Sequence, residues 1–141
     1  TGKPYSSSMP QYVFATPAVM LALRWPMNEL DQRIEQRTRL MFEQGLIEET
    51  RELDRLGLRH TKTAAKATGY AQALAVIDGE MTVPEAIDSV ALATRQLARR
   101  QVKWLRRDPR IVWIDRSGEG ARTSAEAALQ IAREVVLSAF Q

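Results

Sequence analysis

The stretch "ATRQLARRQVKWLRRDPRIVWID", residues 93–115, decides how the fold of this chain is read, because it joins a basic helix to a short apolar strand. Thr82 and Glu85 predict the start of that helix as a capping box, and Pro84 suits its first turn. Pro109 ends the helix, because proline has no amide hydrogen to donate. We therefore predict one helix from about residue 83 to about residue 107, followed by a strand at 110–115.

A buried strand is predicted at residues 18–25, where "AVMLALRW" is a short apolar run between two prolines. Two short strands do not make a stable sheet, which is a first indication that the chain is part of a larger protein. The remainder reads as helix. We predict a mostly α-helical chain with about two short strands, in which residues 1–16 form an irregular N-terminal arm and residues 17–141 form the folded part.

The other helices are predicted from their caps and stops. Asn28 and Asp31 mark the start of one helix that Gly45 ends, and a second helix over 46–56 is closed by Gly57. A third helix is predicted in the second half of residues 63–79, a stretch that Gly69 interrupts. A fourth is predicted to begin at a Thr123–Glu126 cap and to end near Phe140. Helical spacing predicts two apolar faces, one made of Leu30, Ile34, Thr38 and Met41, the other of Leu97, Trp104 and Leu105.

Composition excludes several kinds of site. Cysteine is absent and His60 is the single histidine, so neither a thiolate site nor a multi-histidine metal site can form within this chain. The N-terminal "TGKPYSSSMPQ" lacks the apolar core of a signal peptide. The apolar run "VFATPAVMLAL" is too short to span a bilayer and is broken by Pro17. We expect a cytoplasmic protein that does not bind membranes.

Charge is distributed unevenly along the chain. Residues 28–55 hold eight acidic and five basic side chains, a net charge of −3, whereas residues 94–110 hold seven basic and one acidic, a net charge of +6. Like charges one turn apart on a helix repel each other, and a polyanionic partner would offset that repulsion. A solvated surface helix is the alternative. Four of the cations share one helical face: Arg95, Arg99, Lys103 and Arg106.

Several words occur in a fixed order: "TGKPYS" (1–6), "LDQRIEQR" (30–37), "GLIEET" (45–50), "GYAQAL" (69–74), "ATRQLARRQV" (93–102), "WLRRD" (104–108) and "VWID" (112–115). In this order and spacing they resemble the C-terminal half of the tRNA dimethylallyltransferase family, also called tRNA isopentenyltransferases. The resemblance implies an α/β fold of the P-loop NTPase kind, with a parallel sheet. It also implies transfer of a dimethylallyl group from dimethylallyl diphosphate to the exocyclic amine of the adenine on the 3′ side of the anticodon, by a monomer that uses Mg²⁺.

The resemblance also assigns residues. Arg37 matches the arginine that helps to hold the diphosphate, where it would stabilise charge on the leaving group. Two segments match tRNA-contacting segments, and with Arg95 they would bind the anticodon stem-loop. Tyr70, within the first, would stack on an unpaired base or lie half-buried in the core. The first segment is Lys66, Ala67, Thr68, Gly69, Tyr70 and Ala71; the second is Arg99, Arg100, Gln101, Val102, Lys103, Trp104, Leu105 and Arg106.

The chain departs from the family pattern in one large respect. A phosphate-binding loop of the GxxxxGK[ST] type is absent from the sequence, since the one Gly-Lys pair, Gly2–Lys3, is followed by Pro4. The resemblance places the general base in the same missing N-terminal half. We therefore interpret the chain as a C-terminal fragment of the enzyme that is inactive alone and whose Mg²⁺ ligands lie elsewhere. The alternative is a non-catalytic helical RNA-binding module.

Overall fold

The structure is a computed structural model that describes residues 12, 14–116 and 125–139. These residues cluster into two compact units: a helical unit, residues 26–101, and a strand unit, the described residues within 1–25 and 102–141. The elements run in the order β1 (Met20–Arg24), α1 (Met27–Glu43), α2 (Leu46–Arg55), two 3₁₀ turns (Leu58–His60 and Ala64–Lys66), α3 (Tyr70–Ile77), α4 (Val83–Leu105), β2 (Ile111–Asp115) and α5 (Ala125–Ala139).

Both predicted strands are present in the strand unit, and they pair with each other. β1 and β2 run parallel, in a register that places Met20 opposite Ile111 and Arg24 opposite Asp115. At the end of the ladder the Arg24 guanidinium donates to both carboxylate oxygens of Asp115. A parallel pair needs a long crossover connection, and here the whole helical unit supplies it.

The prediction that the first strand is buried is only partly correct. Ala22 is buried, but its neighbours Leu21 and Leu23 are 37% and 55% exposed. Side chains of a strand alternate between the two faces of its sheet, and α5 packs against β2. Among the described residues the sheet has only these two strands, so part of the apolar surface of β1 is left uncovered.

In the helical unit, α1 does not begin as predicted. Its N-cap is Pro26, and neither Asn28 nor Asp31 caps the helix through its side chain. The first turn is closed instead by the Leu30 amide, which donates to the Pro26 carbonyl at 2.9 Å. The capping-box prediction was wrong because Asp31 lies within the helix, where its carboxylate accepts a hydrogen bond from Arg99 of α4.

The apolar face predicted for α1 is largely confirmed. Ile34 and Thr38 are buried, and the Thr38 hydroxyl donates to the Ile34 carbonyl at 2.8 Å, which satisfies a polar group that would otherwise be costly to bury. The prediction did not include Phe42, which is buried one turn further on. The core cluster of the unit consists of Phe42, Leu46, Ala73, Ala86 and Val90.

Helix α4 begins as the sequence predicts. The Thr82 amide donates to the Glu85 carboxylate at 2.8 Å, and the Glu85 amide donates to the Thr82 hydroxyl at 3.4 Å, which is a capping box. The helix then runs to Leu105, two residues short of the expected end. Gly45 and Gly57 follow the ends of α1 and α2, as predicted, both with left-handed backbone angles.

The apolar face predicted near the C-terminal end of α4 was wrong for two of its three members. Leu97 and Trp104 are 47% and 70% exposed, while Leu105 is half-buried. Helix α4 contributes Ala86 and Val90 to the core cluster of the helical unit, and Ile87 packs against that cluster, so its contact with these core residues lies in its first half.

The chain ends lie partly outside the described residues. The Thr123–Glu126 cap and most of the predicted N-terminal arm fall there, so the arm at 1–16 and the folded part at 17–141 stay a prediction. Phe14 is described, and the Arg110 guanidinium lies 4.3 Å from its ring centroid. Among the described helices, none combines the length and the apolar character that crossing a bilayer requires.

Candidate functional site

Arg37, the predicted diphosphate-holding residue, lines a cleft of about 150 Å³ in the helical unit. The cleft is formed by α1, by Thr68 just before α3, and by the middle of α4. It therefore brings Arg37 of α1 together with a member of the first predicted tRNA-contacting segment. Its lining residues are Ile34, Arg37, Thr38, Met41, Thr68, Val90 and Thr94.

The cleft offers one exposed cation among hydroxyl groups and apolar side chains. The Thr38 and Thr94 hydroxyls each donate to a backbone carbonyl of their own helix, at 2.8 Å, so each has only acceptor capacity left. Within the described part of the chain, the Arg37 side chain makes neither a hydrogen bond nor an ion pair. A permanently charged guanidinium without an acidic neighbour suits a phosphate or diphosphate ligand.

Other arginines of the helical unit differ in this respect. Arg39, two residues along α1, pairs with Glu35 at 2.7 Å. Arg59 donates to Asp54 at 2.7 Å and to both carboxylate oxygens of Asp78 at 2.6 and 2.7 Å. The family resemblance singles out Arg37, but local spacing does not show which arginines are paired, because the acids that pair with Arg59 lie up to 19 residues away.

The first predicted RNA-contacting segment is a turn that leads into α3. Lys66, Ala67 and Thr68 are exposed, Gly69 is buried, and Tyr70 and Ala71 are half-buried. Gly69 has φ 105° and ψ −63°, a conformation that favours glycine. Its amide donates to the Gln72 side-chain oxygen at 2.9 Å, which fixes the start of α3.

Tyr70 is held in place by α2. Its hydroxyl donates to the Glu49 carboxylate at 2.6 Å, and this hydrogen bond raises the pKa of the Tyr70 hydroxyl. The ring packs against the core cluster, which agrees with the half-buried alternative. Sequence reasoning missed Glu49, because no local pattern links residues 21 positions apart.

The second predicted segment lies along α4 and just beyond it. In the helical unit, Arg95 is half-buried, whereas Arg99, Arg100 and Gln101 are exposed. Arg99 donates to Asp31 at 2.6 Å. The acid that was predicted to cap α1 therefore pairs with one of the four cations predicted to share a face of α4. The side chains of Arg95 and Arg100 have no partner among residues that the structure describes.

The part of this segment in the strand unit is also accessible. Lys103, Trp104 and Arg106 are exposed, while Val102 and Leu105 are half-buried. Trp104 and Arg107 line a cavity of about 410 Å³ whose other lining residues include Tyr12 and Arg110. Arg110 is held by Asp108, whose carboxylate accepts two side-chain hydrogen bonds from it, at 2.9 and 2.7 Å. An exposed ring beside cations is typical of surfaces that bind unpaired nucleotides.

Comparison with known proteins gives consistent matches. The model of the family described as IPP transferase matches residues 1–108. A tRNA dimethylallyltransferase from Pseudarthrobacter chlorophenolicus is 50% identical over 115 residues, which cover 82% of this chain and 38% of that protein. One from Corynebacterium jeikeium is 47% identical over 134 residues, covering 93% of this chain and 43% of that protein. The chain thus spans about two fifths of the length of the curated relatives it matches.

A solved structure shares the fold. The full-length tRNA isopentenylpyrophosphate transferase from Bacillus halodurans superimposes with a TM-score of 0.73 at 28% sequence identity, over 86% of this chain and 38% of that one. For the described residues, this match confirms the α/β fold class that the family resemblance implies.

Proposed function

The chain belongs to the IPP transferase family, and on that premise we propose that it is the tRNA-binding and diphosphate-holding part of a tRNA prenyltransferase. The full-length protein transfers a dimethylallyl group from dimethylallyl diphosphate to the exocyclic amine of the adenine 3′ to the anticodon. The C–O bond to the diphosphate breaks, the amine nitrogen forms a bond to the freed carbon, and the amine loses one proton.

The observation that carries this proposal is the unpaired Arg37 in a cleft that also contains Thr68. A positive charge aimed at a departing diphosphate lowers the barrier most when it is fixed in place before the reaction. The backbone that carries Arg37 meets part of this condition, because α1 is anchored through the buried residues Ile34 and Thr38 on either side of it, and a bound diphosphate would order the side chain itself. The exposed Thr68, a member of the predicted RNA-contacting segment, lines the same cleft, which supports the proposal.

The second element of the proposal is α4 with the residues that follow it. Lys103, Arg106 and Arg107 would neutralise phosphates of the anticodon stem-loop, while Trp104, 70% exposed, would stack on an unpaired base. The exposed cations are better explained by RNA than by solvation alone, because each like-charged pair one turn apart is destabilising without a counter-charge.

The family resemblance also suggests Mg²⁺, a cytoplasmic location and a monomeric state. In the part of the chain that the structure describes, no three His, Asp or Glu side chains converge in a way that could hold a metal ion. These residues therefore do not fit a Mg²⁺ site, and we assign the ion no step here. Mg²⁺ commonly bridges one or two carboxylates and substrate phosphates, and those carboxylates would come from outside the described residues.

The test is a transfer assay with two proteins. The full-length protein, incubated with tRNA and labelled dimethylallyl diphosphate, should place the label on the adenine 3′ to the anticodon. The 141-residue chain alone should bind the anticodon stem-loop but transfer no label, because its sequence contains no phosphate-binding loop. RNA binding without transfer by both proteins would favour the non-catalytic RNA-binding module instead.

A further inference from the structure

Arg99 of α4 is tied to α1 by a single ion pair. Its Nη2 donates to the Asp31 Oδ2 at 2.6 Å, between residues 68 positions apart in the sequence. The pair is half-accessible, since the side chains of Arg99 and Asp31 are 49% and 29% exposed. It joins the same two helices that line the Arg37 cleft.

The carboxylate has little alternative to this pair. The second oxygen of Asp31, Oδ1, is buried and has no hydrogen-bond partner among the described residues. If Arg99 swung away to meet a ligand, the whole carboxylate would be left without a partner, and a partly buried charge in that state is costly. Arg99 is therefore expected to remain on Asp31 when a ligand binds.

Arg99 can keep this pair and still bind a phosphate. A guanidinium has five N–H donors in a rigid planar fork, and the pair with Asp31 uses one of them. The hydrogens on Nε and Nη1 remain available, and fixing one edge of the fork orients the others. A side chain held in this way loses less conformational entropy when it binds.

We propose that Asp31 is a positioning residue for RNA binding: it fixes the Arg99 guanidinium so that the remaining donors meet one backbone phosphate of the anticodon stem-loop. This inference rests on the proposed function, because it takes the RNA-facing role of α4 as its starting point. According to this proposal, the negatively charged Asp31 strengthens RNA binding. Simple charge repulsion would predict that it weakens RNA binding.

The two explanations predict opposite changes in RNA affinity when Asp31 is removed. Removing a negative charge near an RNA surface should strengthen binding if Asp31 acts only through its field. If Asp31 positions Arg99, Asp31→Ala should instead weaken binding by about 2- to 10-fold, because the cost of ordering the freed Arg99 side chain offsets the gain from its phosphate contact, which is then lost. Glu35→Ala is the matched control, since Glu35 lies on the same helix and pairs with Arg39 rather than Arg99.

The affinity of the 141-residue chain for a synthetic anticodon stem-loop RNA would be measured by fluorescence anisotropy at several salt concentrations. The slope of log K against log salt should flatten by about 0.7 to 0.9 in Asp31→Ala, because one phosphate contact is lost. Arg99→Ala should flatten it by the same amount, and the double variant should add nothing further. Asp31→Asn, which retains an oxygen acceptor, should keep the wild-type slope, whereas general destabilisation would leave every slope unchanged.

The outcomes separate the two proposals. If the wild-type chain does not bind the RNA, the proposed function fails and this inference fails with it. If the chain binds RNA and Arg99→Ala flattens the slope, but Asp31→Ala binds as tightly as Glu35→Ala or more tightly, only the positioning role is overturned. An unchanged slope in Arg99→Ala would also overturn it, while leaving RNA binding by the chain intact.

Discussion

Two regions of the helical unit use arginine in opposite ways. Arg59 is enclosed by acids, with three donors given to Asp54 and Asp78 at distances of 2.6 to 2.7 Å; we call these three residues the acid clasp. Arg37 lies in the cleft and has no partner in the described part of the chain. Both side chains are exposed. The difference teaches that the number of donors an arginine gives to acids, rather than its burial, separates a structural arginine from one that can still bind a ligand.

The contrast follows from where the acids fall after folding. The acid clasp joins the end of α2, the first 3₁₀ turn and the residue after α3, so its cation stabilises the packing of three elements. The cleft has no acid among its lining residues, so a bound anion would not be repelled. If this distinction is correct, substitutions in the two regions should affect different measurements.

The largest effect is expected for Arg37. In the full-length protein, Arg37→Ala should lower the single-turnover rate of prenyl transfer by about 10²- to 10³-fold, as is typical when one donor to a developing negative charge is removed. The affinity for tRNA should change much less. Arg39→Ala is the control on the same helix, because Arg39 is already paired with Glu35, and its rate should stay near that of the wild type. Equal losses in the two variants would remove the distinction.

The next effect concerns the cations of α4. Replacing Arg99 and Lys103 together by alanine should weaken RNA binding and flatten its salt dependence by about 1.4 to 1.8 units, since two phosphate contacts are lost. Binding of dimethylallyl diphosphate should be unaffected. Replacing Arg51 and Arg55, two exposed arginines of α2, provides a control with the same change in charge. If both double variants gave the same slope of log K against log salt, the basic face of α4 would be a solvated surface.

A smaller effect is expected from Gly69, the residue that follows Thr68 of the cleft. Gly69→Ala should lower the free energy of unfolding by about 1–3 kcal/mol, because the backbone angles there are strained for any residue with a Cβ atom. The new Cβ would be 3.8 Å from Leu46 Cδ2 and 4.0 Å from Met41 Cε, ordinary contacts, so the loss is conformational. Urea unfolding measures it.

Gly57 provides the matched comparison for Gly69. It also has a positive φ, 99°, but it lies between Asp54 and Arg59 of the acid clasp, and a Cβ there would meet nothing within 4 Å. Gly57→Ala should therefore lower stability and leave RNA affinity unchanged in the folded protein. Gly69→Ala should lower both, because it displaces Thr68 and Tyr70. Similar RNA affinities for the two variants would show that the turn before α3 does not contact RNA.

The smallest effect is a pH dependence of the acid clasp. The hydrogen bond from Arg59 lowers the pKa of the Asp78 carboxyl, against the opposing effect of burial. A carboxyl whose pKa is lower in the folded than in the unfolded state stabilises the fold above its unfolded pKa, about 3.9, and loses that contribution as the pH falls further. Asp78→Asn should therefore lower the urea midpoint at pH 7, and its difference from wild type should shrink below about pH 4.

Glu80 supplies the control for that measurement. It is exposed, two residues beyond Asp78, and its side chain has no partner within the described residues. Glu80→Gln should leave the urea midpoint unchanged at both pH values. Because Asp78 and Arg59 are both partly open to solvent, the effect of the clasp should also be reduced by salt. A difference that persists unchanged at low pH would mean that Asp78 contributes through packing rather than charge.

Much of the local structure could be predicted from the sequence. The capping box at Thr82, the proline after α4, the glycines after α1 and α2, and both strands are where the pattern placed them. The failures have specific causes. Asp31 has the spacing of a cap but pairs with Arg99, and Trp104 has the period of a core residue but is 70% exposed. Local spacing cannot tell which residues a helix meets once it is packed.

The sequence by itself determined most of the helices and strands, because capping, helix-ending glycines and prolines, and helical periodicity act between residues a few positions apart. It also determined the excess of positive charge along α4 and the family motifs. Only the tertiary structure decided which arginines are paired, since Arg59 meets Asp78 across 19 residues and Arg99 meets Asp31 across 68. It also placed Arg37 beside Thr68 in one cleft. Such pairs depend on how helices pack, and packing arises from the summed burial of many side chains rather than from any single spacing.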